Sequence, residues 1–137
     1  MGEERWHPIP SDSFQTSLPW SSEHSFYVWR YGVGHSELEL RAYTGDRAGF
    51  LQILFIGVVW METGRAFREG ITLTEATGPS SRLAVTSVPY PLLLTELRGP
   101  LGDVGFVAAT NLRVYRKAED GDDGDRLLVV NKSYLTD

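Results

Sequence analysis

A chain of 137 residues suits one domain that buries roughly two thirds of its unfolded surface, and the absence of cysteine excludes disulfides, thiolate metal sites and cysteine nucleophiles. A net charge of −5, with eleven arginines and two lysines scattered singly, argues against nucleic acid, whose phosphates demand clustered cations. The opening MGEERWHPIP lacks a secretion signal, Trp6 stands where myristoylation needs Ser or Thr, and the apolar run Phe50 to Met61 is too short for a membrane-spanning helix. The expectation is a cytoplasmic protein with no membrane partner.

Residues 1–24 read as an extended arm. Pro8, Pro10 and Pro19 stand among many serines with no sustained period, while Trp6, Ile9, Phe14, Leu18 and Trp20 are too apolar for a free tail. The arm is expected to strap its own core rather than to join a homodimer. Residues 25–137 form the β-core of a single domain.

Phe26 to Tyr43 reads as a β-hairpin around Gly32-Val33-Gly34, whose glycines take positive φ at little cost. A loop of two or four residues pairs Tyr31 with Ser36, Trp29 with Leu38 and Tyr27 with Leu40, and sets Arg30 opposite Glu37. A three-residue loop instead pairs Tyr31 with His35, Trp29 with Glu37 and Tyr27 with Glu39, giving a polar aromatic patch. Burial of leucines against rings favours the first register, with Trp29 in the core.

The stretch Phe50–Met61 suits a central strand covered on both faces, with Gly57 marking a bulge or corner. Arg65 to Glu75 continues as a ribbon broken at Gly70, with Phe67, Ile71 and Leu73 on one face. Thr77 to Ser81 is a loop, Leu83 to Val88 a short strand, and Pro89-Tyr90-Pro91 its end. Leu92 to Leu97 fits one turn of helix or a strand. Gly99 to Gly102 is a turn, and Val104 to Lys117 a long strand with Phe106, Ala108, Thr110, Leu112 and Val114 on one face. An acidic loop, Glu119 to Asp125, precedes a last strand at Leu127 to Asn131. Seven or eight strands with at most one short helix define an all-β fold, an antiparallel β-sandwich or a small β-barrel.

Chemistry-bearing motifs are sparse. His35-x-Glu37-x-Glu39 places three ligand types on one strand face, but two-residue spacing separates them by roughly 6 to 7 Å, so a metal would need a second strand, supplying His24 or His7. The acidic loop fails the spacing of a calcium loop, since neither glycine alignment fills its ligand positions. There is no nucleophile elbow, Walker loop or dinucleotide fingerprint. Asn131-Lys132-Ser133 matches a glycosylation sequon in a chain without a secretory signal. No cofactor is expected.

The candidate binding residues are Tyr27, Trp29, Tyr31, His35, Glu37, Glu39 and Arg41. The leading expectation is a non-enzymatic binding or protein-interaction module, as a small acidic all-β bacterial protein that docks onto another protein would look, using a sheet face, an edge or the arm. The alternative is a small barrel holding a small molecule in its interior, with acid/base chemistry by His35 and Glu37.

Overall fold

The computed structural model describes residues 14–32, 34, 36–43, 49–76, 92–117 and 126–132. The arm up to residue 13, His35, the loop and strand expected between 77 and 91, the acidic loop and Ser133 all lie outside them.

Among the described residues there are eleven strands and no helix. They are β1 (Trp20–Ser22), β2 (Phe26–Gly32), β3 (Glu37–Tyr43), β4 (Phe50–Ile56), β5 (Trp60–Thr63), β6 (Ala66–Phe67), β7 (Ile71–Glu75), β8 (Leu93–Arg98), β9 (Val104–Ala109), β10 (Asn111–Lys117) and β11 (Arg126–Lys132). A five-stranded sheet runs β1-β7-β8-β9-β5 and a six-stranded sheet β11-β10-β4-β3-β2-β6, all antiparallel. The two pack face to face as a sandwich and do not close into a barrel. The space between them is filled by Phe26, Leu38, Leu40, Ile53, Phe55, Phe67, Leu73, Leu97, Leu112 and Val114, all fully buried. Among the described residues the sheets therefore do not form the closed barrel that the interior-ligand alternative named.

Period-2 alternation explains the core. In β4 every second residue, Leu51, Ile53 and Phe55, is buried, while Phe50, Gln52, Leu54 and Ile56 face the other way and are only half-covered. β4 is therefore central in its sheet, but not buried on both faces as expected. Phe67, Ile71 and Leu73 do all enter the core.

Two strand boundaries are corrected and one open choice is decided. Phe50–Met61 is two strands, because Gly57 (φ +70) turns the chain from one sheet into the other. Val104–Lys117 also splits, at Thr110, so Phe106 and Ala108 share a parity opposite to that of Leu112 and Val114. Leu92–Leu97 takes the strand option, as β8.

The two splits occur at one corner. β4 pairs with β10 and β5 with β9, so a single antiparallel ribbon bends between the sheets. The Thr110 amide and hydroxyl both donate to the Ile56 carbonyl, each at 3.1 Å, and the Val59 amide donates to the Ala108 carbonyl at 2.8 Å. These bonds satisfy backbone groups that the bend takes out of the ladders.

The described part of the arm lies on its own sandwich. Leu18 and Trp20 pack against the core, and Trp20 meets Phe26 edge to face at 6.3 Å. Gln15 forms a parallel bridge to β11, donating to the Leu128 carbonyl and accepting from the Val130 amide, both at 2.9 Å.

Candidate functional site

The β2–β3 hairpin adopts neither expected register. Gly32 pairs with Glu37, Tyr31 with Leu38 and Arg30 with Glu39. Among the described turn residues the left-handed one is Ser36 (φ 53), not Gly32 or Gly34, and its carbonyl accepts from the Val58 amide at 2.8 Å. The turn is thus tied to the inter-sheet corner. That tertiary bond accompanies a register that local turn chemistry alone did not indicate.

A β-bulge at Trp29 then changes the parity of β2. Beyond it Val28 pairs with Leu40 and Tyr27 with Arg41. Phe26 and Val28 consequently turn to the core side, while Tyr27, Trp29 and Arg30 lie on the outer face of the sheet. Trp29 is not a core residue: it is 50% exposed.

The outer face gathers most of the candidate residues. Glu37, Glu39, Arg41 and Tyr43 line it from β3, Phe50 and Gln52 from β4, and Arg113, Tyr115 and Lys117 from β10. Tyr31 stands opposite the buried Leu38 at the end of the hairpin and is 38% exposed, away from this cluster. His35 lies outside the described residues, and His24 is exposed beyond β1.

Glu39 is the hub, only 1% exposed although it stands on an open sheet face. Its Oε1 accepts from Arg30 Nε at 2.9 Å, and its Oε2 accepts from Arg41 Nε at 2.5 Å and from Gln52 Nε2 at 2.8 Å. Burial pushes the Glu39 carboxyl up, but the hydrogen bonds from Gln52 and Arg41, with the charges of Arg41 and Arg30, outweigh it. The carboxyl is held below its ordinary value. Arg30 approaches Glu37 only loosely, at 3.9 Å, so the ion pair expected there is secondary to the one with Glu39.

Arg41 is clamped as well. Its guanidinium lies 4.5 Å from the Trp29 ring centroid and 4.3 Å from that of Phe50, and Nη1 donates to the Tyr43 hydroxyl at 3.3 Å. Burial would lower its pKa, but the bonds to Glu39 and Tyr43 raise it on balance. Tyr43 in turn contacts Trp29 at 6.0 Å and Phe50 at 5.5 Å. Three rings and the Arg41 guanidinium therefore brace one another beside one carboxylate.

Glu39 is ionised and both its oxygens are occupied, so it is unsuited to proton transfer or metal ligation. Among the described residues no group of three or more His, Asp or Glu could hold a metal ion. What faces solvent is ring surface, hydroxyls and guanidinium ends, a donor-rich aromatic surface in a chain of net charge −5. A shallow hollow of about 420 Å³ between β5 and β9 is lined by Glu62, Thr63, Gly64, Val104, Gly105 and Phe106, with one carboxylate and no second ionisable group.

Several of these residues were not singled out by sequence. Phe50 and Gln52 were hidden by the expectation of a strand covered on both faces, and Arg30 as the partner of Glu39, Tyr43 and Tyr115 required the observed register. No helix among the described residues is long and apolar enough to cross a membrane. No protein-family model, curated protein or solved structure matches the chain.

Proposed function

We propose that the protein is a non-enzymatic interaction module that engages a protein partner through the outer face of the six-stranded sheet. One observation carries this reading: Tyr27, Trp29 and Tyr43 are 50%, 50% and 59% exposed on a single face. Exposed rings beside arginines are the composition of interface centres, where Trp, Tyr and Arg dominate binding energy. The Glu39 network adds rigidity, so little side-chain freedom remains to be lost on association.

The test separates stability from binding. Trp29→Ala should cost about 1 kcal/mol or less in urea unfolding, because the ring is half in water, whereas Phe55→Ala should cost about 3 to 5 kcal/mol. A partner retained by the wild-type protein from its source cells should be lost by the Trp29→Ala and Tyr43→Ala variants and kept by Trp60→Ala on the opposite sheet. Equal retention by all three variants would overturn the proposal.

A further inference from the structure

Arg113 differs from the other arginines of the outer face. Arg30 and Arg41 both bond Glu39, whereas among the described residues no carboxylate lies within ion-pairing distance of Arg113. Its one hydrogen bond there is long, from Nη1 to the Tyr115 hydroxyl at 3.4 Å.

The strand register explains this isolation. Leu54 and Val130 stand directly beside Arg113 on β4 and β11, Asn111 and Tyr115 flank it along β10, and the next outer positions on β4 are Gln52 and Ile56. None is acidic, although the chain has 18 Asp and Glu residues. The side chain is half-buried, and its Nε is covered without an acceptor; Asn111 Oδ1, two residues along, is likewise covered without a donor. A half-buried guanidinium with no anion destabilises a fold, so an apolar side chain would serve the domain alone at least as well. The same surroundings strengthen a pair formed with a carboxylate from outside, because apolar neighbours lower the local dielectric and the terminal nitrogens present a planar fork. Lys132, exposed opposite Asn111, adds a second cation.

The position is continuous with the aromatic surface. Arg113 shares a row with Leu54, Glu39 and Arg30, three strand spacings or about 14 Å from β2, within the footprint of one interface. Resting on the interaction-module reading above, we propose that Arg113 is where the outer face receives an acidic side chain of the partner protein. The carboxylate takes both terminal nitrogens of Arg113 beside the Tyr115 hydroxyl, while Trp29 and Tyr43 pack against the same partner.

The probe is a capped peptide of about ten residues alternating glutamate and serine, titrated into the isotope-labelled full chain. The Nε–Hε resonance of Arg113 and the amides from Asn111 to Tyr115 should shift saturably. Glutamine in place of the peptide's glutamates should weaken binding by about tenfold or more, as should Arg113→Leu, whereas Arg98→Leu on the other sheet removes the same charge and should leave binding unchanged. The urea midpoint of Arg113→Leu should equal or exceed that of the wild type. A lowered midpoint would show that the free protein already satisfies this guanidinium and would overturn the proposal. So would no shift at millimolar peptide, or equal weakening by Arg98→Leu. Inorganic phosphate binding at Arg113 more tightly than the peptide would overturn the carboxylate assignment. A cellular partner kept by Arg113→Leu but lost by Trp29→Ala would overturn the acidic contact and leave the aromatic reading standing. A partner lost by Arg113→Leu but kept by Trp29→Ala and Tyr43→Ala would keep the acidic contact and defeat the aromatic reading.

Discussion

Glu39 shows how a charged residue can be buried on an exposed sheet. Its neighbours on β2, β3 and β4 supply three donors, so the cost of removing a carboxylate from water is offset by charge-assisted bonds. Because its folded pKa is depressed, the ionised form stabilises the fold. That contribution is fully present above the ordinary carboxyl value near 4.5 and is lost as the pH falls through the lowered folded value. Glu39→Gln should therefore be less stable than the wild type by about 1 to 3 kcal/mol at pH 7, with the gap closing below about pH 4 in denaturant unfolding followed across pH. A gap independent of pH would mean that shape, not charge, sets the role of Glu39. The sequence marked Glu39 as a face residue through simple alternation. It did not reveal the burial, because Arg30 reaches Glu39 through the observed β2–β3 pairing and Gln52 through the β3–β4 pairing, and alternation along β3 encodes neither.

Among the elements, the bent ribbon of β4–β5 and β9–β10 positions everything else. A Cβ on Gly57 would fall 2.3 Å from Thr110 Oγ1, at a φ that L-residues rarely adopt. Gly57→Ala should cost about 2 kcal/mol or more, and Thr110→Ala should recover part of that cost, so the double-mutant cycle should show coupling of about 0.5 kcal/mol or more. Strict additivity would show that strain resides in the backbone alone. Gly57 was legible as a corner from its place in an apolar run. The matching break at Thr110 was not, since a threonine among alternating residues carries no local stop signal and only pairing with β4 makes it a crossing point.

Across the whole molecule, the sandwich has one continuous core to which both sheets contribute, and the ribbon belongs to both. Loss of either sheet strips the apolar face of the other, so the described sheets should unfold together. Far-UV and near-UV circular dichroism should give coincident transitions in urea, while separated midpoints would indicate sheets of independent stability. The all-β class and the sandwich option followed from strand spacing and turn residues. The choice against a barrel did not, because closure depends on how the edge strands sit, which periodicity does not encode.

The parallel bridge from Gln15 to β11 has a kinetic consequence. It joins segments near opposite ends of the described chain, so it closes a very long loop for two backbone bonds and belongs among the last contacts to form and the first to open. While it is open, the outer groups of Leu128 and Val130 are uncovered on a strand rich in leucine and valine. Weakening the latch should therefore open this edge of β11 to self-association at high protein concentration, read as a concentration-dependent rise in mass.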